Sequence, residues 1–401
     1  MSSRRGFLQT LAALPGIGTV LGWFTPSLVV ARPAEVVTPR DVYKELGLQP
    51  IINAAGTYTM LGGSLIHPEV VAAMASAARQ FVNLSELHAA VGKQIAEMLG
   101  CEAALVSAGA ASALTLATAA CVAGKDAEKI RRLPDTAGMK NEVIIQKAHR
   151  FGYDHAVRNV GVRLVEVETA QELEKAVNAR TALMMFYNDF DAVGRIKVEE
   201  FARLGKQLGV TTLNDAAADV PPVENFTRYL RMGYDLVIFS GGKGLRGPQS
   251  AGLLLGRKEL IEAAALNNNP HADSVGRTNK VGKEELVGMW AALRRFLKQD
   301  HVAVWAEWEK RVQTIADLVG SVKGVKTEKF VPPIANHTPH LRMTWDAGIK
   351  PAEVAKQLKE GTPRIEVRPV IADALEVSVW MLEPGEERIV GERIREVLKP
   401  R

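Results

Sequence analysis

The stretch DLVIFSGGKGLRGPQSAGLLLG, residues 235–256, decides the fold. Its first part, Asp235–Phe239, is a short apolar run typical of a buried strand, and a second run, Ala251–Leu255, follows after one loop. That loop is too short to hold a crossover helix, so the two strands are predicted to pair antiparallel. Glycines surround Lys243 in the loop, and glycine lets a backbone approach a ligand closely.

Lys243 has two interpretations at this stage. A lysine on a loop that leaves the end of a buried strand can point into a site, where a desolvated amine becomes a nucleophile or a base. The alternative is a β-hairpin with a solvated lysine at its tip. These residues alone are compatible with both interpretations, so the choice between them depends on the other motifs of the chain.

The amino-acid composition is that of an ordinary folded protein. The 401 residues are 47% hydrophobic and 24% charged, which suits a large core and two packed domains. The net charge of +5 comes from scattered Lys and Arg, so we expect no nucleic-acid partner. The two cysteines, Cys101 and Cys121, are too few for a disulfide framework and are expected to be buried free thiols; no metal site is predicted.

The N-terminus reads SRRGFLQ over residues 3–9, followed by apolar and small residues up to Val30. Paired arginines before a moderately hydrophobic region resemble a twin-arginine export signal, with cleavage expected near Ala31. The mature protein is then predicted to be periplasmic, without stable membrane insertion. The alternative is an uncleaved anchor, because about 20 apolar residues can span a bilayer.

The body of the chain alternates apolar runs with helical patterns. Such alternation predicts an α/β fold with a mostly parallel sheet, in which ligands bind at the carboxyl ends of the strands. Seven runs are predicted to be strands: Glu102–Val106, Glu142–Gln146, Val162–Val167, Thr181–Tyr187, Val210–Asn214, Asp235–Phe239 and Ala251–Leu255.

Four features follow the ends of these runs in a fixed order. SAGAASAL, residues 107–114, opens a helix whose free N–H groups can hold a phosphate. His149 can stack on a flat ring, Asp215 is a carboxylate that needs a cationic partner, and Lys243 supplies an amine. Each feature alone is weak, but together they match pyridoxal 5′-phosphate (PLP), which has a phosphate, a ring, a ring nitrogen and an aldehyde.

The chain resembles the fold type I PLP-dependent enzymes (aspartate aminotransferase-like), in the branch of selenocysteine synthase and D-glucosaminate-6-phosphate ammonia lyase. The resemblance covers nearly all of residues 41–397. It is carried by IINAAGTYTMLGGS (51–64), NLSEL (83–87), SAGAASAL, LPDTAGMKNEVIIQKAHRFGYDHA (133–156), NDAAA (214–218), FSGGKGLRGPQSAG (239–252) and GRTNKVGKEE (276–285).

This resemblance implies roles for the cofactor-binding residues. Lys243 would bind the aldehyde covalently, Asp215 would pair with the ring nitrogen, and His149 would lie over the ring. The phosphate ligands would be Ser107, Gly109, Ala110 and Ser240.

The resemblance also implies substrate contacts and an assembly. Arg277 would reach a neighbouring subunit's site, which makes a homodimer the minimum assembly. Arg364 is the candidate for the substrate α-carboxylate, with Arg368 and Arg246 as competitors. Two threonines of the N-terminal arm, Thr57 and Thr59, are candidates for contact with an amino acid substrate.

The domain organisation follows from the same reading. We predict a signal at 1–31, a linker and arm at 32–64, a large PLP-binding domain at 65–282, and an interdomain helix with a smaller C-terminal α+β domain at 283–401. A continuous helix is predicted over residues 283–318, strands over 341–345 and 375–381, and a closing helix over 384–399.

The expected reaction is an α,β-elimination. Lys243 would remove the Cα proton of a hydroxy amino acid or amino sugar acid, a β-hydroxyl would leave, and hydrolysis would give a 2-keto acid and ammonia. An exported enzyme would meet an unphosphorylated substrate. Aldolase, racemase and β-lyase reactions stay open, as does selenocysteine synthase chemistry, which export and Gly242 in place of an acid disfavour.

The sequence disfavours two further classes of protein. A PLP-fold binding or sensing protein without turnover is disfavoured because both Lys243 and Asp215 are present. A nicotinamide-dependent enzyme is disfavoured because no GxGxxG follows a predicted strand.

Overall fold

The structure is a computed structural model that describes residues 41–346, 348–371 and 373–399. The predicted export signal lies outside the described residues. The chain divides into two units, of which the first, up to Gln49, contributes helix α1 (Val42–Glu45). Every other element belongs to the unit that starts at Pro50. In the part of the chain that the structure describes, no helix is long and apolar enough to cross a membrane.

The N-terminal arm contributes strand β1 (Ile51–Ala54). The seven predicted strands are all present, displaced by two residues at most: β2 (Ala103–Ser107), β3 (Glu142–Gln146), β4 (Arg163–Val167), β5 (Thr181–Tyr187), β6 (Thr212–Asp215), β7 (Leu236–Ser240) and β8 (Gly252–Gly256). They form one sheet in the order β2-β8-β7-β6-β5-β3-β4. Only β8 runs antiparallel to its neighbours, which confirms the predicted mostly parallel sheet and the antiparallel pair.

Helices cover both faces of this sheet. The helices that precede β8 in the chain are α2 (Pro68–Ala78), α3 (Leu84–Leu99), α4 (Gly109–Ala123), α5 (Ala127–Arg132), α6 (Asp154–Arg158), α7 (Ala170–Ala176), α8 (Val198–Leu208) and α9 (Asn225–Met232). After β8 come α10 (Lys258–Leu266), α11 (Lys283–Lys298), α12 (His301–Gly320), α13 (Pro351–Glu360) and α14 (Glu386–Leu398).

The strands alternate their side chains between two cores, as a sheet buried on both faces must. Along β5, Phe186 packs into the core that includes Phe201 of α8, and its neighbour Tyr187 packs into the core that includes α4. Helix α4 consists almost wholly of small residues and is buried along most of its length. It therefore comes close to the sheet and brings its N-terminus to the carboxyl edge of the strands.

A second, smaller set of strands lies in the C-terminal part of the chain. These are β9 (Val325–Phe330), β10 (His340–Trp345), β11 (Arg364–Val367) and β12 (Leu375–Ser378). The order β12-β10-β9 forms an antiparallel sheet, and β11 pairs in parallel with β1 of the N-terminal arm. Helices α12, α13 and α14 pack with these strands around their own apolar core. The C-terminal α+β part of the fold prediction is confirmed.

One prediction for this region needs correction, and two of its strands were not predicted. The continuous helix over 283–318 is wrong, since α11 ends at Lys298 and α12 begins at His301. Gln299 between them is extended, and the Asp300 side chain accepts a hydrogen bond from the Ala303 N–H, which caps the new helix. Strands β9 and β11 were not predicted, because neither VKTEKF of β9 nor RIEV of β11 contains an apolar run.

Candidate active site

Two serines and one glycine meet at the carboxyl edge of the large sheet. Ser107 of β2 and Ser240 of β7 both have Gly252 of β8 as their register partner, so the three lie side by side. A Cβ on Gly252 would lie 2.3 Å from the Gly109 carbonyl carbon and 2.6 Å from the Ala110 nitrogen. Glycine at 252 therefore lets the start of α4 lie directly on this edge.

The N-terminus of α4 is open to an anion. Its N-cap residue, Ala108, provides no side-chain cap, and no acidic residue lies in the first turn. Gly109 has a φ of 77°, and a Cβ built on it would meet no atom within 4 Å. Ser107 turns its hydroxyl inward to donate to the Gly109 carbonyl at 2.9 Å. The backbone N–H groups of the first turn and the helix dipole thus remain available to a phosphate.

Asp215 is the last residue of β6, and its register partner on β5 is Tyr187. Its Oδ1 accepts a hydrogen bond from the Ala217 N–H at 3.0 Å. Burial raises the pKa of the Asp215 carboxyl to about 6, against the opposing effects of this hydrogen bond and of the positive charge of Lys243. A carboxylate that is desolvated and in the field of one lysine would be stabilised by a second cation, such as a protonated ring nitrogen.

The Lys243 loop is held against the segment that follows Asp215. Ser240 donates its N–H to the Ala217 carbonyl at 3.3 Å, and the Gly247 N–H donates to the Gly241 carbonyl at 2.9 Å. A Cβ on Gly244 would lie 2.0 Å from the Val220 carbonyl oxygen. These contacts place Lys243 within the electrostatic reach of Asp215.

Lys243 lines a cleft of about 340 Å³. The predicted arm residues Thr57 and Thr59 line it, which brings the N-terminal arm to the lysine. The other lining residues are Gly63, Ser240, Gly242, Gln249 and Ser250. The arm is fixed there because Gln249 donates its amide N–H to the Thr59 carbonyl at 2.9 Å.

His149 is enclosed by protein. The imidazole is fully buried, its Nδ1 accepts the Tyr187 N–H at 3.2 Å, and it packs edge-on to Phe186 with 4.5 Å between ring centroids. Burial lowers the pKa of His149 to about 4, so the ring is neutral at physiological pH. Its predicted place over a cofactor ring stays a prediction, and the aromatic rings exposed nearby belong to Phe151 and Tyr153.

The arginine candidates separate along β11. Arg364 begins the strand opposite Ile51, and its guanidinium donates to the Lys359 carbonyl at 3.2 Å. Val367 pairs with Ala54, so Arg368 leaves the strand at the end where the arm turns towards Thr57. Four residues of strand put roughly 13 Å between the two arginine backbones. The structure does not bring Arg364 to the cleft end of the strand.

Arg368 and Arg246 already have protein partners. Arg368 donates to Glu376 at 3.2 Å and lies 3.1 Å from Nε2 of His340. Arg246 donates to the Leu65 carbonyl at 2.8 Å and to Glu383 at 3.3 Å. A substrate carboxylate at either arginine would share it with these groups.

Arg277 lies apart from the lysine. It is exposed and lines a separate cavity of about 420 Å³ together with Thr115 of α4 and Asn159. The structure therefore does not bring it together with Lys243 inside one chain.

Sequence reasoning did not assign a second buried acid, Asp219. Its Oδ2 accepts hydrogen bonds from Tyr229 at 2.6 Å and from the Asn188 amide at 2.7 Å. Burial raises the pKa of Asp219, and the charge of Lys243 opposes that rise. The motif NDAAAD, residues 214–219, was the available signal.

Polar atoms without partners mark the same edge. Among the described residues, the buried side-chain atoms that lack a hydrogen-bond partner include Ser112 Oγ in the first turns of α4, Tyr187 Oη and Asn188 Oδ1. They lie on α4 and at the end of β5, beside the strand that carries Asp215. An open helix N-terminus, a carboxylate, an amine and unpartnered polar atoms fit the phosphate, ring nitrogen, aldehyde and remaining polar groups of PLP.

Known structures share this fold. The chain superposes on a structure of D-glucosaminate-6-phosphate ammonia-lyase with a TM-score of 0.78 and 27% identity, covering 90% of this chain and 99% of the other. A serine palmitoyltransferase solved with PLP shares the fold alone, at a TM-score of 0.57 and 14% identity, over 86% of this chain and 87% of the other. The fold and the site define a fold type I PLP-dependent enzyme.

The chain belongs to the L-seryl-tRNA selenium transferase (SelA) family, whose model matches residues 51–326. It is 32% identical over 374 residues to a 5′-C-glycyluridine monooxygenase-decarboxylase of Streptomyces sp., covering 89% of this chain and 92% of the relative. It is 29% identical over 380 residues to D-glucosaminate-6-phosphate ammonia lyase of Salmonella typhimurium, covering 90% and 98%.

Proposed function

We propose that this protein is a PLP-dependent lyase that releases ammonia from an amino sugar acid or another hydroxy amino acid. The observation that carries the proposal is the buried Asp215 carboxyl in the positive field of Lys243, in a chain that matches an ammonia lyase over 98% of the relative's length. The bound cofactor supplies an electron sink for the charge that develops at the substrate α-carbon.

The residues of the site then have defined tasks. The first-turn amides of α4 hold the phosphate, and Asp215 keeps a proton on the ring nitrogen. The Lys243 amine holds the cofactor between turnovers and moves the Cα proton during turnover. Loss of the β-hydroxyl as water, followed by uptake of water and release of ammonia, leaves a 2-keto acid, so atoms and protons balance.

The lining of the cleft supports an unphosphorylated substrate. Its side chains in the described part of the chain carry hydroxyl and amide groups, and Lys243 is the only cation among them. A phosphorylated tail would call for further cations, as anions are held by Arg, Lys or open helix N-termini. Threonine, serine and glutamine side chains suit the hydroxyls of a free sugar acid.

The test is a screen of purified holoenzyme for ammonia release across D- and L-hydroxy amino acids and amino sugar acids, each with its phosphorylated counterpart where one exists. We expect release from an unphosphorylated compound, with none from the Lys243→Ala protein. If borohydride fixes cofactor to the chain but no substrate yields ammonia, the cofactor site is supported and the lyase proposal is contradicted. Such a result would favour a sensor.

A second candidate is an oxygen-dependent decarboxylation, which the name of the Streptomyces relative favours. Oxygen uptake and CO₂ release distinguish it from elimination, which needs no oxidant. Aldolase, racemase and β-lyase products separate in the same assay. Transfer on a seryl-tRNA, the activity in the family's name, is tested by binding of charged tRNA, and we expect no binding.

We also propose that residues 1–31 direct twin-arginine export and that the mature enzyme works in the periplasm. The supporting feature is Arg4-Arg5 before a moderately apolar segment. An Arg4→Lys, Arg5→Lys double variant of the full chain should accumulate in the cytoplasm. Equal periplasmic recovery of both proteins would overturn the proposal.

We propose a homodimer in which Arg277 serves the partner's site, with chain divisions near residues 64 and 282. Arg277 is exposed and lines a cavity separate from the Lys243 cleft, which supports a role outside its own chain. Mixing Arg277→Ala protein with Lys243→Ala protein should restore part of the activity, because one hybrid site then has both residues. No restoration after exchange of subunits would contradict this.

A further inference from the structure

Tyr187 is a buried tyrosine at the site to which no role has been given. It is the register partner of Asp215 on the neighbouring parallel strand, so both side chains leave the same face of the sheet. The residue is 4% exposed, and in the described part of the chain its hydroxyl has no hydrogen-bond partner. A buried hydroxyl in this state destabilises the fold that contains it.

Other buried tyrosines of the chain do not share this property. Tyr229 donates its hydroxyl to Asp219 at 2.6 Å, and Tyr234 donates to the Val198 carbonyl at 3.0 Å. Both rings pack in the core on the opposite face of the sheet from Tyr187. Tyr187 alone of these three keeps an unused donor, and it is the one beside Asp215.

Across the part of the chain that the structure describes, no protein group accepts a hydrogen bond from the Tyr187 hydroxyl, the neighbouring Asp215 carboxylate included. His149 takes the backbone N–H of Tyr187 and not the hydroxyl. The rings of Phe151 and Phe190 lie edge-on with centroids 6.4 Å away and are apolar. Burial raises the pKa of the Tyr187 hydroxyl, and the charge of Asp215 adds to the rise, so the group stays a donor at working pH.

We propose that the Tyr187 hydroxyl donates a hydrogen bond to an acceptor oxygen of the pyridoxal phosphate held at Asp215. Tyr187 is then a cofactor-positioning residue whose donor has a partner only in the loaded enzyme. The proposal rests on the cofactor assignment and is independent of which reaction follows, because it is measured without substrate.

The experiment compares Tyr187→Phe with Tyr234→Phe, each of which removes one buried hydroxyl. Without cofactor, Tyr187→Phe should melt at the same temperature as wild type or higher, because an unsatisfied group is removed. Tyr234→Phe should melt lower, because it removes the buried hydrogen bond from the hydroxyl to the Val198 carbonyl. For cofactor binding the order reverses: Tyr187→Phe should weaken the dissociation constant for PLP about tenfold, and Tyr234→Phe should leave it unchanged.

Two probes identify the acceptor oxygen. If the contact is to the phosphate, Tyr187→Phe weakens binding of PLP and leaves that of pyridoxal unchanged; if it is to the ring oxygen, both weaken. Wild-type affinity of Tyr187→Phe for both probes overturns the proposal. So does a cofactor-free Tyr187→Phe protein that is less stable than wild type or does not fold, since the hydroxyl then has a protein partner.

Discussion

The carboxyl edge of the large sheet and the antiparallel C-terminal sheet treat their polar groups in opposite ways. At the edge, Tyr187 and Asn188 keep atoms that have no partner among the described residues, and Asp215 accepts a hydrogen bond from the Ala217 backbone. In the C-terminal sheet, Glu376 is buried and accepts from both Arg342 and Arg368. Buried polar groups are normally paired. We interpret the paired set as structural and expect a ligand to satisfy the unpaired atoms at this edge, although unpaired atoms also occur elsewhere, as on His88 and Arg393.

The C-terminal part of the chain also contains buried polar atoms without partners among the described residues, at the place where it meets the N-terminal arm. Ser378 Oγ and Trp380 Nε1 are buried and lack partners in the described residues. Both face Gly56, at 3.8 and 3.5 Å from a Cβ built there, and Gly56 precedes the cleft residue Thr57. The unpartnered atoms of this sheet thus occur where it meets the arm that lines the site.

Removing the amine should have the largest effect at the ligand-dependent edge. We expect Lys243→Ala to lower the rate of ammonia release by about 10³-fold or more, since both the covalent hold and the proton transfer are lost. Borohydride should no longer fix cofactor to the chain. Lys175→Ala, an exposed lysine on α7, is the control and should behave as wild type. A Lys243→Ala enzyme that keeps a tenth of the activity would remove Lys243 from the chemistry.

Asp215→Asn should have the next largest effect, because it keeps the size of the side chain and removes the charge that holds the ring-nitrogen proton. We expect a fall in activity of about 10²-fold, the usual cost of losing one preorganised electrostatic group. The cofactor-free variant should be at least as stable as wild type at pH 7.5, because the substitution removes a desolvated, ionised carboxylate from the folded protein. Loss of both stability and activity would place Asp215 in the structural set.

Local patterns made the large sheet and the two site residues Asp215 and Lys243 predictable. Each strand is an apolar run a few residues long, and Asp215 and Lys243 stand out because they interrupt or follow such runs. The break between α11 and α12 also had a local signal, in the capping residue Asp300, that the apolar periodicity of the segment concealed.

Tyr187 and the arginines could not be assigned from the sequence for a different reason. The role of Tyr187 depends on its register with β6, and the choice between Arg364 and Arg368 depends on the direction of β11 beside β1. Both are relations between segments distant in the chain. No periodicity within either segment contains them.

The paired set should respond through stability. Glu376→Gln leaves Arg368 beside His340 without its carboxylate, and we expect the free energy of unfolding to fall by about 2 kcal/mol. Glu328→Gln is a matched control, because Glu328 pairs with the same Arg342 from an exposed position. It should cost less than about 0.5 kcal/mol. Chemical denaturation of cofactor-free protein measures both, and equal losses would contradict the distinction between buried and exposed pairing.

The pH dependence of cofactor binding should separate the two sets again. The pKa of Asp215 in the cofactor-free protein is raised to about 6, so the carboxylate is ionised above that pH and protonated below it. A protonated ring nitrogen binds the ionised form, so the association constant should fall by up to about tenfold for each pH unit below 6. Asp215→Asn should lose this dependence. The same fall in both proteins would assign the titration to another group.

The two arginines of β11 should show the smallest effects and refine the boundary between the sets. Arg368 lies at the end of the strand next to the arm, whereas Arg364 is held by the Lys359 carbonyl at the other end. We expect Arg368→Lys to raise KM about tenfold with little change in kcat, because a lysine cannot offer a substrate carboxylate the bidentate contact that an arginine can make. Arg364→Lys should change KM less than about twofold. A larger rise in KM for Arg364→Lys than for Arg368→Lys would mean that the substrate binds near the start of β11. It would contradict the placement of the cleft at the Arg368 end of the strand.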